Sequence, residues 1–203
     1  DSAVESSNDF NPIRNWANEL HAKDTSRKVR AVKKLQAERG EWLGGRPPYG
    51  YRKSETTENH LEPDPEAAEV VRQIFTLCAA GKGPSQIARI LTERKILTPA
   101  NYYFQKTGKT HEGRDALHPY VWSGTTVSDI LKNVMYLGHT VGLRRTTISY
   151  KNKTRIDRPE SEQCLVKNTH QPLVSQEQWE IVQEVRQHKK RTAKHMNLSL
   201  IHI

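Results

Sequence analysis

The chain has 203 residues, and its 32 Lys+Arg outnumber its 23 Asp+Glu to give a formal net charge of +9. Two cysteines, Cys78 and Cys164, cannot build a disulfide framework or a four-cysteine zinc site. No apolar run reaches the roughly 18 residues a membrane span needs, and residues 1–9 lack the basic and apolar stretches of a signal peptide. The length allows one ordinary domain with an appendage, or two small ones. A mean hydropathy of −0.82 is very polar, yet Leu, Ile, Val and Trp recur in clusters. This is the composition of a folded domain with a large basic surface. Nucleic acid is the first partner such a surface suggests and an anionic membrane the second, with charge for solubility alone as the plain alternative. The first residue is not Met, and the chain is expected to be a fragment of something larger.

Residues 11–39 read as one long polar helix. Asn11-Pro12 starts it, Ile13, Ala17 and Leu20 share a face beside Trp16, and Val29, Val32 and Leu35 continue a thin stripe up to Gly40. A helix so long with so narrow an apolar face needs a partner: a second helix, another subunit or DNA phosphates. Its second half, Lys23 to Arg39, is strongly basic. Residues 40–51 cannot continue it, because Gly44-Gly45 breaks the helix and Pro47-Pro48 forces extended backbone. They read as an arm or linker.

A clearer amphipathic helix covers residues 64–80. Asp64-Pro65 opens it, and Ala67, Val71, Ile74 and Cys78 line one stripe. Cys78 on that stripe is expected to be a buried small hydrophobe. Ser85 caps a short second helix that turns Ile87, Ile90 and Leu91 inward. Residues 100–121 read as a long polar insert. A third helix then opens at Trp122-Ser-Gly-Thr-Thr126 with Ser123 as its cap, and Val127, Ile130, Leu131 and Val134 form one buried face. Short β-like runs follow at residues 136–141 and 163–166. Between them Arg144, Arg145, Lys151, Lys153 and Arg155 mark a basic hairpin or wing. Ser175 begins a last helix with Trp179, Ile181, Val182 and Val185 inward. Residues 192–203 differ in composition and are read as a non-native tail.

Two short helices after a longer one, the last with a polar N-terminal face, form a helix-turn-helix skeleton whose turn is replaced by the insert. The outer face of the third helix offers Ser123, Thr125, Thr126, Ser128, Asp129 and Lys132. Small hydroxyl side chains let a helix approach a major groove closely and bond to base edges or phosphates. A solvated helix face fits the same residues. Arg46, on a slim Gly-Gly-Arg-Pro segment, suits the negative potential of a narrow minor groove. The same segment also reads as a plain linker, with Tyr49 and Tyr51 anchoring it to the core.

Taken together, Asp24-Thr-Ser-Arg-Lys-Val-Arg30 and Gly45-Arg-Pro-Pro-Tyr-Gly-Tyr51 resemble the junction between the catalytic and DNA-binding parts of large serine recombinases. Glu69-Val-Val-Arg-Gln-Ile-Phe75, Gly83-Pro-Ser-Gln-Ile-Ala88, Trp122-Ser-Gly-Thr-Thr-Val127 and Ile130-Leu-Lys-Asn-Val-Met-Tyr-Leu-Gly138 are similar to that family in order and spacing. The resemblance covers about residues 9–190. It implies that residues 11–39, with Arg27 and Arg30, are the helix that follows the catalytic domain, packs against a dimer partner and approaches DNA. It implies further that the 40–51 arm tracks the minor groove, the third helix enters the major groove, and the 144–155 segment touches the backbone. The family's Tyr-x-Arg-x-Ser-type catalytic segment and its four-cysteine zinc ribbon are both missing from this sequence.

Other chemistry fails on its own terms. The nine His residues form no His-Glu-x-x-His motif or ligand cluster, Glu66 and Glu69 suit a helix N-terminus better than an acid–base pair, and Gly81-Lys-Gly83 reads as a turn. The expectation is therefore a mainly α fold with a small β element: a long N-terminal helix, then a winged-helix-like, helix-turn-helix-like DNA-binding domain. Its segments are the helix at 1–39, the arm at 40–51, the recombinase domain at 52–191 and the tail at 192–203. Its expected partner is double-stranded DNA, with self-association through the full-length protein, no membrane, no cofactor and no metal, in the bacterial cytoplasm. The expected function is sequence-specific site recognition for a serine integrase or transposase, with no catalytic residue and no activity alone. The competing readings are a basic RNA-binding or structural module and a free-standing enzyme.

Overall fold

The computed structural model describes residues 11–110 and 113–199. The readings of residues 1–9 and 200–203 lie outside them. Among the described residues the fold is mainly helical with three two-stranded ladders. The chain divides into two compact units, residues 1–43 with 140–169, and residues 44–139 with 170–203.

The first unit is built on helix α1, Asn11–Glu38. Its Ile13, Trp16, Leu20, Val29, Val32 and Leu35 are exposed, as a stripe too thin to make a core requires. Only near its end does α1 pack closely, where Ala37 is fully buried. The partner is the antiparallel pair β3, Thr140–Gly142, and β6, Cys164–Val166, with Gly142 opposite Cys164. A Cβ on Gly142 would come within 2.7 Å of the Ala37 Cβ, so this contact needs a residue with no side chain. The basic wing forms as the antiparallel pair β4, Arg145–Thr147, and β5, Arg155–Asp157. The sequence places residues 140–169 in one domain with 52–139, whereas here they pack with α1. The β-like run at 136–141 is shorter than expected, because Val134–Leu137 coils into a 3-10 turn and only Thr140 onward is extended.

The second unit opens with a ladder that the sequence did not suggest, β1, Tyr51–Lys53, against β2, Leu61–Pro63. Helix α2 follows at Pro65–Ala79 and α3 at Pro84–Glu93. Asp64 holds the expected cap position of α2, but its side chain accepts the Tyr102 hydroxyl at 2.8 Å instead of capping. Gly83 rather than Ser85 takes the cap position of α3, since Pro84 fixes the first helical residue and the Gln86 side chain accepts the Gly83 N–H at 2.9 Å. Part of the expected insert is helical, as α4, Pro99–Thr107, closed by Gly108 at φ 68°. Helices α5, Gly124–Lys132, and α6, Gln176–Ser199, complete the unit, and α6 runs on into the expected tail.

The core gathers Val71, Ile74, Phe75 and Cys78 of α2 with Ile87 and Leu91 of α3, Val127 and Leu131 of α5, Tyr136, and Val182 of α6. Burial of each large apolar side chain contributes about 1.5–3 kcal/mol. Ile181 points outward and is exposed; the stripe of α6 runs through Val182, with Trp179 stacked on Phe75 at 5.8 Å. Tyr49 and Tyr51 anchor the arm. The Tyr51 hydroxyl donates to Gln171 O at 2.9 Å, and the Tyr136 hydroxyl donates to Tyr49 O at 2.8 Å. Burial pushes all three phenols well above their ordinary range, so they stay neutral.

Candidate nucleic-acid interface

Helix α5 carries its expected cap. Ser123 Oγ accepts the Thr126 N–H at 3.1 Å and lies 2.9 Å from the Thr126 hydroxyl. Val127, Ile130 and Leu131 face the core, which leaves Ser123, Thr125, Asp129 and Lys132 exposed and Thr126 and Ser128 half-buried. The start of α5 rests on the start of α3: a Cβ on Gly124 would lie 2.9 Å from Ser85 Oγ and 3.3 Å from its backbone. Trp122 locks the approach to α5 by donating its indole N–H to Ile96 O at 2.9 Å. The first turn of α5 thus stands on a rigid base with its hydroxyls toward solvent.

Arg46 does not project as a bare strap. It is half-buried, its guanidinium lies 5.8 Å from the Tyr103 ring centre, and its Nη1 is covered with no hydrogen-bond partner among the described residues. The cause is α4, whose aromatic face supplies the surface that the sequence read as polar loop. Arg46 and Thr126 line one cleft of about 320 Å³, together with Thr98, Asp115, His118 and Ser123. Thr98, Asp115 and His118 are the residues that sequence reading missed. The Thr98-Pro99 pair repeats the pattern that opens α2 and could have marked α4. Asp115 and His118 carried no local signal. They form a pair at 2.9 Å, and the His118 imidazole and N–H hold the Asp115 carboxyl below its usual range.

The other candidate cations lie in the first unit, except Lys132, which pairs with Asp129 at 3.7 Å on α5. Arg27 pairs with Asp24 at 3.5 Å, and Arg30 donates to the Thr147 hydroxyl at 3.5 Å. Arg145 is bonded to Asp157 at 2.8 Å across the β4–β5 ladder. Lys151 pairs with Glu19 of α1 at 2.7 Å, and the same carboxylate accepts the Tyr150 hydroxyl at 2.6 Å. The Lys151 and Tyr150 bonds hold the Glu19 carboxyl below its usual range. Arg144, Lys153 and Arg155 are exposed and make no side-chain ion pair among the described residues. The wing therefore presents cations of two kinds, some tied to carboxylates and some turned to solvent.

Cys78 is buried in α2 and Cys164 sits half-buried on β6, so two thiols on separate elements do not meet the demands of a four-thiolate zinc site. No helix among the described residues is long and apolar enough to cross a membrane.

Comparison with known proteins gives three findings. The family model described as Recombinase matches residues 65–189. The crystal structure of an LSR–DNA complex is similar at a TM-score of 0.48 and 18% identity, over 79% of this chain and 42% of that one. A structure concerned with the sequence requirements of the Listeria innocua prophage attP site is similar at a TM-score of 0.41 and 19% identity, over 79% of this chain and 51% of that one. The chain spans about half the length of these relatives or less.

Proposed function

The chain belongs to the Recombinase family, and from that premise we propose that it is the site-recognition part of a serine recombinase and binds double-stranded DNA sequence-specifically. The observation that carries this reading is that Arg46 and Thr126 line a single cleft. A cation and the first turn of a hydroxyl-bearing helix at one opening suit adjacent grooves of one duplex. Helix α5 lies in the major groove and presents Thr125, Thr126 and Ser128 to base edges, with Ser123 and Lys132 beside them. Arg46 and the 40–51 arm follow the neighbouring minor groove. Arg144, Arg145, Lys151, Lys153 and Arg155 of the wing, with Arg27 and Arg30 of α1, supply salt-dependent affinity for phosphates.

In the intact protein this binding places a separate serine-nucleophile domain on attachment or element-end DNA, for integration or excision in the bacterial cytoplasm. Strand exchange and self-association are assigned to that whole protein. We assign residues 52–191 to its recombinase domain, with residues 140–169 of that stretch packed on α1, and α1, Asn11–Glu38, to the helix that leads in.

The test is enrichment of duplexes from a random-sequence pool. The wild-type chain is expected to enrich a defined motif. Thr125→Ala and Thr126→Ala change that motif, whereas Lys153→Ala weakens binding to every duplex alike. Equal or tighter binding to A-form RNA duplex would refute the reading, as would a motif indifferent to both threonines.

A further inference from the structure

The segment between α4 and α5 is fastened at many points, yet it turns its apolar side chains to solvent. Asp115 Oδ1 accepts the N–H of Leu117 at 2.9 Å and that of His118 at 3.1 Å. Buried Asn101 donates to the Asp115 carbonyl at 3.0 Å. The Thr98 N–H donates to Pro119 O at 3.0 Å, and the Val121 N–H donates to His118 O at 3.2 Å. Trp122 closes the segment by donating its N–H to Thr92 Oγ1 at 3.0 Å. On this frame Leu117 is 85% exposed, the most of any large apolar side chain among the described residues, and Val121 is 59% exposed. Folding gains nothing from a leucine held there.

We infer that the 115–121 loop is a second DNA-reading element, in which Leu117, backed by Val121, packs on the apolar parts of a groove, either thymine methyl groups or deoxyribose. The inference rests on the DNA reading above. Three observations select DNA as the occupant. Asp115, His118 and Val121 line the same cleft as Arg46 and Thr126, so the loop forms the lip of that site. The acid at this lip is engaged within the loop, with Asp115 Oδ1 accepting the Leu117 and His118 N–H groups and Oδ2 paired with the His118 ring, and Arg46 lines the same cleft as its cation. The patch itself is small. Two or three side chains expose far less than the roughly 800 Å² per partner that a stable protein interface buries, but a single leucine or valine is enough to contact a groove. The staples also mean that DNA would dock on a loop already ordered, with little entropy left to lose.

The experiment uses the full chain and the duplex enriched by the wild type. Affinity is read by fluorescence anisotropy for Leu117→Ser and Leu117→Met, with melting temperature and sedimentation measured alongside. Leu117→Ser is expected to lose about tenfold on the enriched duplex, as the loss of one buried leucine predicts. On unselected duplex, where phosphate contacts dominate, it changes less than about twofold. Leu117→Met stays within about threefold of wild type, because it keeps apolar volume. Unaltered affinity of Leu117→Ser for the enriched duplex overturns the inference. So does a shift in sedimentation with DNA affinity intact, which would make the loop a protein contact. Should the wild type enrich no duplex, the DNA reading fails and this inference falls with it; that result is distinct because it does not depend on residue 117.

Discussion

Arg46 and Thr126 line the same cleft, although one lies on an irregular arm and the other in the first turn of a helix. What joins them is the packing of α4. Its Tyr103 ring lies beside the Arg46 guanidinium, and its Tyr102 ring meets Tyr49 edge-on at 5.6 Å. Tyr49 in turn meets Trp122, the residue before the α5 cap, at 5.8 Å. The cleft is thus held by aromatic contacts between an arm, an inserted helix and the start of α5.

Gly124→Ala tests the rigid base of that helix. The added methyl group would meet Ser85 Oγ at 2.9 Å and its backbone at 3.3 Å, so the hydroxyl must rotate and the start of α3 must give by a few tenths of an ångström. A loss of about 1–3 kcal/mol is expected, read as a lower urea midpoint, together with weaker DNA binding. An unchanged midpoint would mean that the two helix starts are not in close contact.

Ser123→Ala removes the oxygen that accepts the Thr126 N–H. The expected cost is about 1 kcal/mol, and Ser123→Asp should recover most of it because aspartate caps as well as serine. Thermal melting followed by circular dichroism checks both variants. Equal melting of Ser123→Ala and wild type would deny the cap any role in stability.

How far the sequence revealed these features depends on how local their causes are. Helix α5 was legible because its cap and its apolar face lie within nine consecutive residues, Ser123 to Leu131; Val134, expected on that face, instead starts the 3-10 turn and is half-buried. Helix α2 was legible for the same reason. Helix α4 was not, because Asn101 is its only buried residue and no apolar period betrays it. Its tyrosine side chains answer to residues far off in the chain, Tyr49 and Arg46. The joining of residues 140–169 to α1 rests on contacts between distant residues, Gly142 with Ala37 and Lys151 and Tyr150 with Glu19, that no local pattern encodes. Among the candidate cations, residue type marked the wing correctly as basic. Only the fold distinguishes Arg145 and Lys151, tied to Asp157 and Glu19, from Arg144, Lys153 and Arg155.

That distinction predicts a difference in salt dependence. Lys153→Ala should lower the slope of log affinity against log salt by about 1, because a solvent-facing cation releases a counterion from DNA. Lys151→Ala should lower it less, since Lys151 must first leave Glu19. Glu19→Gln frees that lysine and is expected to tighten binding to unselected duplex. Equal slopes for the two lysine variants would show that the Glu19 contact does not hold Lys151 back.

Acid should destabilise the second unit through His170. Its ring meets Tyr51 edge-on at 4.7 Å and bonds to Met135 O at 2.8 Å, and burial holds its pKa below the ordinary value. Between the folded and unfolded pKa values the unfolded chain binds more protons. The contribution of His170 is therefore complete above about pH 6.5 and is lost as the pH falls below that value. Urea midpoints measured on either side of pH 6.5 should differ, and His170→Gln should narrow the gap. A gap of the same size in the variant would assign the acid sensitivity to other groups.

The central claim is that the arm and α5 hold neighbouring grooves of one duplex. It is tested most directly by tethered cleavage on the enriched DNA, with iron–EDTA attached at Gly45→Cys or at Asp129→Cys in a Cys164→Ser background. Gly45 has open space around it and Asp129 is exposed on the outer face of α5, so both positions accept the tether. The account predicts two clusters of cuts within about 10 base pairs, one helical turn, of each other. Cuts from Asp129 alone, or clusters separated by more than a turn, would contradict it.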